Sequence, residues 1–165
     1  MSYTIREATV IEIPKLVEII RTSFQDVALR FGLTEENCPK HPSNCQATWI
    51  TSALEKGARY FTFNAEGASC GCVAIEQGDP EVCYLERLAV LPPKRLRGYG
   101  RALVAHVLHQ AKELGAHRVD IGIIADHTEL REWYTKIGFV AQNTADFPHL
   151  PFQVLFMSLS LDAEG

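Results

Sequence analysis

The chain reads as one α/β sandwich, a mixed β-sheet with helices on both faces, in the order β-α-α-β-β-β-α-β-α-β-β. Three observations predict this class. Apolar residues recur at helical spacing in four separate runs, of which Ile13-Leu16-Val17-Ile20-Phe24 and Leu103-Val104-Val107-Leu108-Ala111 are the clearest. Short alternating or apolar runs bounded by Gly, Pro and Asn lie between them, as strands do. A strand-like run over 82–91 also passes into a helical one over 101–114 through the turn Arg95-Leu96-Arg97-Gly98-Tyr99-Gly100, a layered strand-to-helix step. At 165 residues the chain has the size of one domain with a full core. No repeat, linker or low-complexity tract divides residues 1–165.

Residues 3–8 alternate enough for a strand. Thr9-x-x-Glu12 then reads as a capping box with Pro14 in the first turn, opening a helix that runs to about residue 30. Residues 33–45, with Pro39 and Pro42, form a loop. Ser43-x-x-Gln46 offers a second capping box before a short helix carrying Trp49, Ile50, Ala53 and Leu54, which ends near Gly57. Strands over 60–63 and 69–76 are joined by the hairpin signal Asn64-Ala65-Glu66-Gly67, and Gln77-Gly78-Asp79-Pro80 turns the chain into the 82–91 strand. Pro92-Pro93 ends that strand, because proline cannot donate to a ladder. Gly115 stops the helix that follows. Val119, Ile121 and Ile123 alternate in the next strand. Asp126-x-x-Glu129 is expected to cap a helix with the stripe Leu130, Trp133, Tyr134 and Ile137, stopped by Gly138. Two last strands, 139–142 and 152–161, flank a Pro/His loop.

A formal charge of −4 argues against general nucleic-acid binding, which normally shows a basic excess. The first residues lead into strand-like sequence with no basic segment and apolar signal core. No apolar run approaches the roughly eighteen residues needed to span a bilayer. The five cysteines are odd in number and spread through apparent core strands, which favours reduced thiols and a cytoplasmic location. Cys38-x-x-His41-x-x-x-Cys45 provides three donors in a loop, short of the four of a structural zinc site, so no metal is expected.

The arginine-rich turn has the makings of an anion cradle. The first amides of a helix lack internal acceptors and together carry about half a positive charge, so they hold phosphate well. Gly98 and Gly100 remove Cβ atoms where ligand oxygens must approach, and Arg95, Arg97 and Arg101 add charge that can pair with phosphate. A Walker A loop is excluded, since Gly100 is followed by Arg101-Ala102 where Lys-Ser/Thr is required. A dinucleotide fingerprint is weakened by Leu103 at its third small position, although Asp120 stands where a ribose-binding acid belongs.

Arg95-Leu96-Arg97-Gly98-Tyr99-Gly100 resembles the Arg/Gln-x-x-Gly-x-Gly/Ala pyrophosphate loop of the GCN5-related N-acetyltransferase (GNAT) family. Tyr134-Thr135-Lys136-Ile137-Gly138-Phe139 resembles the family's Tyr-x-x-x-Gly-Phe helix ending, and Leu88-Ala89-Val90 before Pro92 resembles the strand end that pairs with the pantetheine arm. The resemblance covers nearly the whole chain, residues 1–165, as a single N-acetyltransferase domain. The segment Asn37-Cys38-Pro39-Lys40-His41-Pro42-Ser43 also resembles a stretch found in some members.

The resemblance implies acetyl-CoA as co-substrate. Its pyrophosphate would rest on the backbone of Leu96 to Arg101, Tyr99 included, and its pantetheine on Leu88, Ala89 and Val90, where the sheet opens towards the Val119 strand. Asp126 stands where members often carry an Asn that contacts the cofactor; plain N-capping is the competing reading. Tyr134 is the candidate general acid for the departing thiolate, since tyrosine stays protonated at neutral pH; it also fits as a core residue beside Trp133. Glu86 is the candidate base. Strand parity with Tyr84 and Leu88 is expected to send all three to one face, and an ion-paired sheet carboxylate is the alternative reading. Phe31, His41, Trp49 and Tyr84 are candidate walls of the acceptor pocket. The acceptor itself, a small-molecule amine or a peptide, is not coded in any stretch of sequence. Two other classes compete: a non-catalytic acyl-CoA-binding module on the same fold, and a nucleotide-dependent oxidoreductase. Homodimerisation is implied by family analogy.

Overall fold

The structure, a computed structural model, describes residues 2–162. Its strands are β1 (Tyr3–Glu7), β2 (Arg59–Ala65), β3 (Ala68–Asp79), β4 (Val82–Val90), β5 (Arg118–Ile124), β6 (Val140–Ala145) and β7 (Val154–Ser160), and its helices are α1 (Ile13–Phe31), α2 (Ala47–Glu55), α3 (Tyr99–Glu113) and α4 (Thr128–Ile137). The strands form one seven-stranded sheet in the order β1-β2-β3-β4-β5-β7-β6. All neighbours are antiparallel except β4 and β5, which are joined by the α3 crossover and run parallel. The expected element order is observed.

The sheet separates two main layers of core. On one face α1 and α2 bury Leu16, Ile19, Ile20 and Ile50 against Tyr60, Cys72, Ala74 and Ala89. On the other, α3 and α4 pack on Phe61, Phe63, Val73, Leu85 and Ile121. Leu103, Val104 and Val107 of α3 are fully buried. Each such side chain contributes roughly 1.5–3 kcal/mol, so the helix carrying the arginine turn is firmly seated. Gly71 allows that seating: a Cβ there would lie 2.9 Å from the Ala89 carbonyl oxygen and 3.3 Å from the Leu103 side chain. No described helix is long and apolar enough to cross a membrane.

Local chemistry explains most boundaries. The Thr9 amide donates to Glu12 Oε1 at 3.0 Å, as the first capping box requires. Glu66 and Gly67, both at positive φ, form the two-residue β2–β3 turn. The Asp79 carboxylate accepts from the Glu81 and Val82 amides at 2.7 and 3.1 Å and so turns β3 into β4.

Three expectations are corrected. Ser43 does not cap α2, because its hydroxyl pairs with His41 Nδ1 at 2.7 Å within a short 3-10 turn, and Gln46 becomes the N-cap residue without a side-chain bond. Asp126 does not cap α4: the helix begins at Thr128 after His127, Asp126 is exposed, and Glu129 is drawn to Arg30 on α1 at 2.8 and 2.9 Å. Parity along β4 also fails. The β3–β4 register slips between the pairs Ala74↔Glu86 and Cys72↔Ala89, and Arg87 in the slip adopts φ 54. This bulge leaves Tyr84 and Glu86 facing away from the α3 side, while Leu88 packs with the α3-side core.

Candidate active site

The parallel β4–β5 pairing is confined to Val82–Tyr84 against Arg118–Asp120. Beyond it the two strands part, and a cavity of about 1510 Å³ occupies the opening. Its walls are β4 from Tyr84 to Val90, β5 from Asp120 to Ile124, the turn at 94–101, and Leu130, Trp133 and Tyr134 of α4. Leu91 donates its amide to the Cys70 carbonyl at 2.8 Å, towards β3. Amides alternate along a strand, so the Val90 N–H points the other way, into the opening.

At one end lies the cradle. Leu96 and Gly98 both take positive φ, 65° and 82°, alternating along the turn that leads into α3. Such alternation curls successive N–H groups into an anion-binding concavity. The two glycines serve different ends. Gly98 is needed for its φ, with open space where a Cβ would stand, whereas a Cβ on Gly100 would meet the Trp133 ring at 3.3 Å. Tyr99 is turned inward, its ring centroid 4.3 Å from that of Phe63, so it joins the cradle through its backbone.

The three arginines divide their work. Arg95 donates Nε to the Val90 carbonyl at 3.2 Å, Nη2 to the Ser23 carbonyl at 2.6 Å and Nη1 to Asp26 at 2.7 Å. It therefore pins the turn to α1 and to the end of β4. Burial pushes the Asp26 carboxyl up, but the hydrogen bond from Arg95 prevails and holds it below its ordinary value. Glu66 in the β2–β3 turn takes Lys94 at 2.9 Å and Arg97 at 3.3 Å. Arg101 lines the cavity with no carboxylate partner among the described residues.

Deeper in, Tyr134 is 5% exposed and its ring meets Trp133 and Phe139 edge-on at 5.0 and 5.3 Å. Burial pushes its hydroxyl above the ordinary tyrosine value, so it is a proton donor throughout the neutral range. It lies on the cavity wall as well as in the core, which reconciles its two readings. On the opposite face of the sheet, Glu86 stands diagonally across the ladder from Glu76. Its carboxyl is pushed up to about 7, by the surrounding protein and by sharing a hydrogen bond with Glu76. Glu86 is open to the solvent of the cavity; this weakens the first cause, and the like-charged neighbour is the firmer one. Asp120, opposite Tyr84, accepts from Ser158 at 2.6 Å and from Arg118 at 3.1 Å.

Of the other expected residues, Leu88, Ala89, Val90, Leu96, Tyr84 and His41 all border the cavity. His41 is buried and neutral, its ring pushed down to about 4 by burial and then by Arg87. Trp49 lies beside the opening rather than in it, under Arg87. Phe31 is not on the cavity wall; it packs on the buried cluster of Ala28, Leu33, Cys38 and Ile124 and tilts against His127. Asp126 is absent from the wall, and His127 takes that place. Asp26, Glu66 and Glu76 escaped the sequence reading as partners because each meets its neighbour through tertiary structure, and Asp120, noted only where a ribose-binding acid belongs, pairs with Arg118 on its own strand and with Ser158 across the sheet. Only the period-2 spacing of Glu76 after Ala74 hinted at a shared face.

Fold and site together define an α/β domain whose split sheet opens into one cavity, with the arginine turn at one end and the buried Tyr134 side chain deeper in. The chain belongs to the acetyltransferase (GNAT) family, whose model matches residues 14–139, and it is therefore an acyltransferase. No curated protein matches it in sequence. Among solved structures it is similar to Ard1 from Thermoplasma volcanium, with 18% identity, a TM-score of 0.78, and 97% of this chain and 98% of that one covered. It is similar to YncA, a putative acetyltransferase from Salmonella typhimurium solved with its cofactor acetyl-CoA, at 17% identity and TM-score 0.73, covering 100% and 97%. A third is the ribosomal-protein-S18-alanine N-acetyltransferase from Escherichia coli, at 16% identity and TM-score 0.74, covering 99% and 97%.

Proposed function

We propose that this chain, acting over residues 1–165 as one transferase domain, moves the acetyl group of acetyl-CoA directly to a primary amine. The observation that carries the reading is the single cavity that joins the arginine-turn cradle to Tyr134 and Glu86 through the β4–β5 split. The pyrophosphate rests on the amides from Leu96 to Arg101, with the Arg101 guanidinium as its free cation. The pantetheine arm extends β4 as an added strand along Leu88 to Val90, and the Val90 N–H polarises the thioester carbonyl. Glu86 accepts the amine's proton, directly or through water. The amine attacks the carbonyl carbon, and as the C–S bond breaks Tyr134 protonates the leaving sulfur. Acetyl-CoA bound to YncA, and coenzyme A bound to PaiA from Thermoplasma acidophilum, support the choice of donor. The acceptor is a small amine or a peptide N-terminus, the second supported by the S18-alanine enzyme. Five buried free cysteines favour the reducing cytoplasm, and a homodimer is the assembly that family analogy implies.

The test is thiol release from acetyl-CoA across a panel of amines. Turnover is expected, and Tyr134→Phe should lower kcat by about 10²-fold or more while coenzyme A affinity stays close to wild type. Coenzyme A binding with no turnover by wild type would instead mark a non-catalytic binding module.

A further inference from the structure

The cations around the main cavity fall into two groups. Lys94, Arg95 and Arg118 each have a carboxylate within ion-pair distance. Arg87 and Arg101 have none among the described residues. The proposed reading assigns Arg101 to the diphosphate, which leaves Arg87, beside the Tyr60 hydroxyl and the His41 ring, as the cation with no ionic partner assigned. It sits in the β4 bulge at φ 54, a backbone state that costs a non-glycine residue energy and that tends to persist at functional sites. The bulge turns its guanidinium over the Trp49 ring, 5.6 Å from the centroid.

A second cation reaches the same indole, Lys40 Nζ at 5.1 Å, and it too has no carboxylate partner among the described residues. Between these two lies a side cavity of about 580 Å³ walled by Lys40, Gln46, Thr48, Trp49, Ser52 and Arg87. Apart from Pro39, its side chains are hydrogen-bond donors around one aromatic plate, with no acid among them. Arg87 borders both cavities, so this basic pocket opens beside the Glu86 carboxyl.

We propose that the pocket of Arg87, Lys40 and Trp49 binds a carboxylate carried by the acceptor, so that the acceptor is an amine of the amino-acid class. This rests on the transferase reading and extends it from the amine to the rest of the molecule. Arg87 borders both cavities and its charge acts on the Glu86 carboxyl, so a carboxylate held by Arg87 leaves the amine of the same molecule near Glu86. A planar, singly charged oxyanion suits a bidentate guanidinium over an indole. A dianionic phosphate suits the site less, because Glu76, Glu86 and Asp120 lie on the neighbouring face and repel further negative charge.

The test pairs each standard amino acid with the amine left when its carboxylate is removed, lysine against cadaverine and phenylalanine against phenethylamine, and adds peptides with amidated C-termini. Thiol release is measured with wild type, Arg87→Gln and Lys40→Gln; the last lies on an exposed loop and covers a folding failure of the first. In parallel, each compound is titrated calorimetrically into coenzyme A-loaded protein. A carboxylate-bearing acceptor is expected to exceed its partner in kcat/KM by roughly tenfold or more, mainly through KM, and both variants should shrink that ratio. Turnover with no carboxylate preference, or with amidated peptides best, overturns the inference and leaves the transferase reading intact. Amino-acid binding that both variants abolish, with no turnover of any amine, would uphold the pocket and refute the transferase reading. Neither binding nor turnover would overturn both.

Discussion

Glu86 shows how a carboxyl becomes useful near neutrality without being deeply buried. Removal from bulk water and the neighbouring Glu76 both disfavour its negative charge, and its pKa rises to about 7. In the proposed reaction the deprotonated form is the base, so kcat/KM is expected to climb as pH rises through about 7. Glu76→Gln removes the like charge and should move that limb to lower pH, whereas Glu86→Gln should flatten it and slow the reaction by about 10²-fold or more. Rate profiles between pH 5 and 9 check both. An unmoved limb in Glu76→Gln would refute the coupling. Gly98 makes the complementary case for backbone: with φ 82 and open space around it, Gly98→Ala should cost about 1 kcal/mol through strain alone. Weaker coenzyme A binding should accompany the fall in denaturation midpoint.

The arginine turn, as an element, is held from outside itself. Arg95 ties it to the α1 residues Ser23 and Asp26 and to the end of β4, and Glu66 holds Lys94 and Arg97 from the β2–β3 turn. Asp26→Asn removes one anchor far from the reacting atoms. It should raise KM for acetyl-CoA several-fold with kcat little changed, and cost stability at most about 1 kcal/mol, as for an exposed ion pair. An unchanged KM would show that the turn holds its shape unaided. The turn also marks the limit of sequence reading. Gly98, Gly100 and the arginine spacing are local, so the turn into α3 could be read from the chain. The partners Asp26 and Glu66 lie about 69 and 31 residues from their arginines, and no local pattern encodes such pairings. The bulge at Arg87 was hidden for a related reason: a bulge is a property of two strands in register, and it sent Leu88 to the face opposite the one parity predicts. Capping boxes fared unevenly. Thr9–Glu12 formed, whereas Ser43 and Glu129 found stronger partners in His41 and Arg30.

For the molecule as a whole, the element order and the core stripes were legible because amphipathic periods of 2 and 3.6 residues are read directly from the chain. Global stability carries one trace of the loop that was not legible. His41 is buried beside Arg87 with its pKa lowered from 6.5 to about 4. Below pH 6.5 the unfolded chain takes up a proton that the folded one refuses, so stability falls as pH drops from about 6.5 to 4. Urea midpoints followed across that range should decline in wild type, and His41→Gln should lessen the slope. An identical slope in the variant would mean that other groups dominate.

The short parallel contact between β4 and β5 has a mechanical consequence. Near Tyr84 and Asp120 seven strands are continuous; further along, four strands stand apart from three, with α3 packed across both halves. A guest entering that gap meets two stiff jaws already set apart, and little ordering of the host is required. Association with the thioester donor should therefore be fast, with scarcely any change in the hydrodynamic size of the protein.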